Sequence, residues 1–149
     1  MAKFIYSMQN LLNLKEKLEE QKKAAFGAAK AKLDAEEEKL QALLARKEFY
    51  QNELKNCYAS RLDLMAIKKN QEALKVLQIH IEYQHILIQQ AKSQVELARI
   101  QLTEALKERK IHEKLREKAF EAFKKELLYE EGKEVDELVS FKYGKAKGE

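Results

Sequence analysis

No proline occurs anywhere in this chain, and glycine occurs only at Gly27, Gly132, Gly144 and Gly148. A helix interior disfavours both residues, by about 1 kcal/mol for glycine and about 3 kcal/mol for proline. A sequence that avoids both over 149 residues reads as helix nearly from end to end. Ala, Glu, Lys, Leu and Arg together make up roughly 60% of it, a composition typical of long helices and coiled coils. Charged residues are 36% and tryptophan is absent. A thick globular core would therefore have to enclose many ionic groups at high cost. Two thin paired helices need only a narrow apolar seam.

Heptad spacing supplies that seam twice. In the first half it runs Phe4, Met8, Leu11, Lys15, Leu18, Lys22, Ala25 and Ala29. After a four-residue slip, which relaxes a supercoil locally, it resumes through Leu33, Glu36, Leu40, Leu43, Lys47, Tyr50, Leu54 and Cys57. The second half is more regular, from Ile67 through Leu74, Leu77, Ile81, Gln84, Ile88, Ala91, Val95, Ala98, Leu102, Ala105, Arg109, His112, Arg116, Ala119 and Phe123. Between them, Ser60-Arg61-Leu62-Asp63 fits a capping box, and Asn56 favours a turn or a helix end. The expected fold is all-α: one domain, residues 1–149, built as a long antiparallel two-helix coiled-coil hairpin with a C-terminal helical overhang. Helix 1 is placed at about 3–57, the turn at about 58–62, helix 2 at about 63–140 and a flexible tail at 142–149. The alternative is one uninterrupted helix that dimerises.

A fold-back near residue 60 makes facing residue numbers sum to about 120. The small residues Ala24, Ala25, Gly27, Ala28 and Ala29 then fall opposite Ala91, Ser93 and Ala98, where the helices can approach closely. Phe4 pairs with about Arg116, and the chain beyond has no intrachain partner. Phe120, Phe123, Leu127, Val135, Leu138 and Phe141 nevertheless mark a further apolar stripe. An amphipathic helix buries its stripe against something, and the missing surface is expected on another protein.

No G-x-x-x-x-G-K-[ST] phosphate loop occurs. His80 and His85 lie about 140° apart around a helix and do not converge on a metal as i, i+4 histidines do. His112 reads as a polar break in the seam, with a pH-switch role as the other reading. Cys57 reads as a small seam residue. It cannot form an internal disulfide, which suits a reducing cytoplasm. The basic run Lys107, Arg109, Lys110, Lys114, Arg116 and Lys118 alternates with Glu108, Glu113 and Glu117 and reads as a solvated face or a docking surface for acidic loops. The net charge of +4 and a pI of 9.0 are modest, and no aromatic residue stands within that run to stack bases. No stretch approaches a membrane span, and Met1 to Leu14 is too polar for a signal peptide. The expectations are no enzyme, no cofactor, no metal, no nucleic acid and no small-molecule substrate.

The opening Phe4-Ile5-Tyr6-Ser7-Met8-Gln9-Asn10-Leu11-Leu12-Asn13-Leu14-Lys15-Glu16 resembles that of FliJ proteins, which commonly begin with an F-x-F-x-x-L-L-x-L-K-E-like run. Leu115-Arg116-Glu117-Lys118 with Phe120 and Phe123, then Lys133-Glu134-Val135-Asp136-Glu137, looks like the closing block of the same family. The order, spacing and total length agree across the whole chain. The family often carries a glycine near its hairpin tip and aromatics soon after it; here Ser60 and the stretch from Asn70 to Leu74 offer neither.

The resemblance implies a non-enzymatic component of the bacterial flagellar type III export apparatus, similar in fold to the paired terminal helices of the F-type ATPase γ subunit. It implies docking in the centre of the export ATPase hexamer, promotion of its assembly and activity, contact with the membrane export gate, and escort of export chaperones. A cytoplasmic protein peripherally associated with the inner membrane and required for motility and chemotaxis is expected on the same basis. The equivalent stalk of a virulence secretion system and a self-associating structural coiled coil are the alternatives. The ATPase-binding candidates are Phe4, Arg116, Lys118, Phe120, Phe123, Lys124 and Leu127. The resemblance suggests Tyr50, Leu74, Ile81 and His85 for the gate.

Overall fold

The computed structural model describes residues 2–59 and 63–147, which form two helices, α1 (Gln9–Ala59) and α2 (Leu64–Lys147). No strand occurs among the described residues. The helices pack antiparallel against each other, an all-α two-helix hairpin. Helix 1 starts at Gln9, not at 3, and helix 2 continues to Lys147, past the expected end near 140. The expected capping residue Ser60, with Arg61 and Leu62, lies outside the described residues. Asp63 itself caps α2: its Oδ1 accepts from the backbone N–H groups of Met65 and Ala66, at 3.1 and 3.3 Å. These are two of the early donors that a helix cannot satisfy internally.

The chain packs as two compact units, Gln21–Thr103 and the combination of Met1–Glu20 with Glu104–Glu149. In the Gln21–Thr103 unit, α2 buries Ile67, Leu77, Ile81, Gln84, Ile88, Ala91 and Ala98 at the anticipated heptad positions. On α1 the facing seam is Lys22, Phe26, Ala29, Leu33, Glu36, Leu40, Leu43, Lys47, Tyr50, Leu54 and Cys57. Phe26 therefore takes the place expected for Ala25, which is exposed, and the three-four spacing runs through Ala29 and Leu33 without the anticipated slip. The larger ring fills the groove better than a methyl group. Ala29 and Ala91 do border one groove, as the register required. Gly27 does not take part, since a Cβ added there would meet nothing within 4 Å.

Two devices let a charged seam pack. Lysines lay their stems along the apolar groove and carry the ammonium to its edge: Lys22 Nζ donates to Gln101 at 3.4 Å and Lys47 Nζ to Gln78 at 3.2 Å. These pairs sit three to five residues from the expected register, about one helical turn, because long side chains reach diagonally. Among the described residues, Glu36 and Gln84 make a buried polar layer that follows the expected register. Gln84 Nε2 donates to the Glu36 carbonyl oxygen at 2.8 Å and to its carboxylate at 2.5 Å. This hydrogen bond holds the Glu36 carboxyl below its ordinary 4.5. A polar pair inside an apolar seam fixes register, because any slip leaves both groups unpaired. Near the tip, Asn70 Nδ2 donates to Cys57 Sγ at 3.7 Å, which makes Cys57 a seam residue.

In the other unit, Leu12 and Ala105 are buried and ionic groups close the seam. Lys15 pairs with Glu108 at 2.8 Å, and Arg109 bridges Glu19 and Glu113. Lys15 keeps the Glu108 carboxyl low, while Glu113 and then Glu19 raise Arg109.

Candidate functional site

Residues 2–6 lie outside any helix and Ser7 and Met8 turn into α1, and this changes what they can reach. Phe4 and Tyr6 are half-buried while Lys3, Ile5 and Ser7 are exposed, the two-residue alternation of an extended backbone. An extended residue advances about 3.3 Å, against 1.5 Å in a helix. The arm therefore carries Phe4 past Arg116 to the aromatic pair beyond it. The Phe4 ring meets Phe120 edge-on at 5.0 Å between centroids and Phe123 at 5.4 Å. This corrects the expectation that Phe120 and Phe123 lack an intrachain partner. The anticipated Phe4–Arg116 pairing is present as well, with the guanidinium carbon 5.7 Å from the ring centroid. Arg116 Nε also donates to Gln9 Oε1 at 2.8 Å.

Five of the seven residues singled out for ATPase binding thus form one cluster: Phe4, Arg116, Phe120, Phe123 and Lys124, whose Nζ lies 4.6 Å from the Phe120 centroid. Leu127 is half-buried and Lys118 is exposed. The cluster is an aromatic core with two cations on its faces, a favourable electrostatic arrangement. After Leu127 the helix continues with every side chain from 128 to 144 exposed. Leu128, Tyr129, Val135, Leu138, Val139, Phe141 and Tyr143 stand between 47% and 72% exposed. The spacing predicts this unpaired helix but begins it too early, because Phe4 and Met8 also fit a helical repeat.

The four residues suggested for gate contact do not converge. Ile81 is 4% exposed and belongs to the seam, and Leu74 is half-buried in it. Neither presents a free face, so any influence they have on a partner passes through hairpin packing. Tyr50 borders a cleft with Arg46, Lys69, Glu72 and His80, and its ring meets Phe49 at 5.5 Å. His85 borders a different depression, with Asp34, Glu37, Glu38 and Lys92. Two surfaces are present in that unit, not one. Among the described residues, no group of three or more His, Cys, Asp or Glu side chains is placed to hold a metal ion. No described helix is long and apolar enough to cross a membrane.

A family model described as "Flagellar FliJ protein" matches residues 4–148, nearly the whole chain. The chain belongs to the FliJ family. Membership makes it a component of the flagellar protein-export apparatus. No match is found among curated proteins, and none among solved structures. In this FliJ-family chain, the two runs quoted from the sequence meet in one place, since Phe4 comes from the opening run while Arg116, Phe120 and Phe123 come from the closing block.

Proposed function

We propose that this chain is a non-enzymatic stalk of the flagellar export apparatus that inserts the end of α2 into the centre of the export ATPase hexamer and promotes its assembly and turnover. The observation that carries this reading is the stretch of α2 after Leu127, where apolar side chains recur on a helix that packs against nothing in its own chain. Exposed apolar stripes of this kind are normally buried against a partner. The Phe4, Phe120 and Phe123 cluster stands at the root of that stretch and sets where the free helix begins. Arg116, Lys118 and Lys124 supply positive charge around it for acidic loops of a ring.

The second half of the proposal concerns the membrane export gate. Exposed His85 and half-buried Tyr50, a seam residue that borders a cleft, are the candidates for it, and Leu74 and Ile81 keep α2 in the register that presents them. Escort of export chaperones and peripheral association with the inner membrane belong to the same reading, by family. ATP chemistry is assigned to the partner ATPase.

The test is to add the chain, and a version lacking residues 128–149, to the partner ATPase and to measure turnover and hexamer population. The intact chain should raise both. The shortened chain should fold and raise neither. Equal stimulation by the two would contradict the assignment of the free helix to the ATPase.

A further inference from the structure

The net charge of the chain is not spread evenly. Residues 54–71, which span the hairpin turn, carry Lys55, Arg61, Lys68 and Lys69 against Asp63 alone, and so hold three of the four net positive charges of all 149 residues. Lys55, Lys68 and Lys69 are exposed. Among the described residues the ion pairs all lie elsewhere, which leaves these three ammonium groups free to meet an anion. Asp63 stands at the same end, but its Oδ1 is engaged by the N–H groups of Met65 and Ala66. The next acids along the chain, Glu53 and Glu72, lie further from the turn than any of the three lysines.

Apolar side chains crowd the same end. Tyr58, in the last turn of α1, is 57% exposed, and Leu64 and Met65, in the first turn of α2, are 78% and 83% exposed. Cα–Cβ bonds tilt toward the N-terminus of a helix, so Leu64 and Met65 project past the start of α2. Lys68 and Lys69 follow one turn behind, about 6 Å along the axis. The same tilt swings their long stems forward, toward the level of the apolar pair. The order along the axis is therefore apolar first, then cationic.

We propose that the hairpin tip docks directly on an anionic lipid surface. Leu64 and Met65 enter the boundary between headgroups and acyl chains, Tyr58 lies at headgroup depth, Lys68 and Lys69 meet lipid phosphates, and Lys55 adds charge behind them. Apolar insertion joined to a basic patch is how a chain anchors on such a surface without crossing it, and a tyrosine ring with its wet hydroxyl favours the same depth. A protein partner fits the tip less well. Three apolar side chains on the convex end of two helices, about 20 Å across, fall short of the roughly 800 Å² per partner that a stable protein interface takes. A fluid lipid surface conforms to a convex tip and needs no matching groove. The contact is made by this chain itself, so it does not depend on the ATPase reading above.

Co-sedimentation of the full chain with phosphatidylcholine vesicles, and with vesicles containing about 30% phosphatidylglycerol, tests this. The chain should bind the anionic vesicles, leave the neutral ones in suspension alone, and dissociate as salt is raised. Lys68→Gln with Lys69→Gln should weaken binding about 25-fold, since each lysine at an anionic surface contributes about fivefold. Leu64→Ser with Met65→Ser should weaken it at least about tenfold. Helix content by circular dichroism should not change in either pair, since all four side chains are exposed. Stimulation of the export ATPase should be the same with and without these substitutions, so the two assignments fail separately. The chain contains no tryptophan, so Tyr58→Trp supplies a single reporter whose emission should shift to the blue on anionic vesicles. No binding to those vesicles would overturn the proposal and leave the tip to an acidic protein. Binding that survives either pair at full strength, or a Tyr58→Trp emission unmoved by vesicles the chain has bound, would overturn it as well. Should the serine pair lose helix, the lysine pair and the Tyr58→Trp reporter decide.

Discussion

Ile81→Ala separates packing from partner contact at the position where the two readings collide. Ile81 is 4% exposed against α1. Truncating a buried isoleucine to alanine costs about 2–5 kcal/mol, the value depending on how far the site can collapse. A two-helix seam is open along both edges and relaxes more readily than a globular core, so the lower end applies, about 2 kcal/mol. For a chain of this size each kcal/mol is about 2–4 °C in melting temperature, so the expected loss is about 4–8 °C. His85→Ala is the control. His85 is exposed, and surface substitutions stay within about 0.5 kcal/mol. Thermal melts followed by circular dichroism read both. A variant at Ile81 that melts with the unsubstituted chain, or one at His85 that falls as far, would refute the seam assignment of Ile81.

Phe4→Ala should lower the melting temperature by about 2–12 °C through loss of two aromatic contacts worth about 0.5–1.5 kcal/mol each, and hydrogen exchange at Leu11 and Leu12 should speed up. Unchanged exchange there would mean the arm is not anchored by its ring. The Glu36 carboxyl is held below 4.5 by Gln84, so its share of stability is present above that pH and lost as pH falls through the lowered value. Glu36→Gln should keep the hairpin folded at neutral pH and flatten the acid limb of its stability curve, and an identical limb would remove Glu36 from the account. Gly27→Ala should raise stability by about 0.5–1 kcal/mol, because the new methyl group meets open space and a helical glycine is costly. A drop in melting temperature would show that close approach at Gly27 matters.

The heptad seam was legible because each buried position on α2 from Ile67 to Ala105 repeats at a spacing that only a paired helix satisfies. Charged seam positions such as Lys22 and Lys47 were legible too, since their stems are long enough to lie in a groove. The register near Glu36 followed from chain arithmetic alone. What the spacing could not give was the arm. Phe4, Met8 and Leu11 fit a helical repeat as well as they fit an extended segment leading into a helix. Only the exposure of Ile5 at 82% and Met8 at 45% distinguishes the two. The choice between Ala25 and Phe26 was likewise a matter of which side chain fills the groove, and periodicity does not weigh volume. The candidate gate residues come from resemblance, and three of them, Tyr50, Leu74 and Ile81, are seam residues, because a seam and a patch share the same three-four spacing.

The central claim, that the free end of α2 grips the ATPase, is tested most directly by turnover measurements with Leu138→Asp and Phe141→Asp together, set beside Tyr50→Ala with His85→Ala. Leu138 and Phe141 are 63% and 68% exposed and touch neither the seam nor the Phe4 cluster. Their substitution should leave the melting temperature unchanged and abolish stimulation of the export ATPase, while the Tyr50 and His85 pair should stimulate normally. Normal stimulation by the Leu138 and Phe141 variant, with loss in the Tyr50 and His85 variant, would contradict the account.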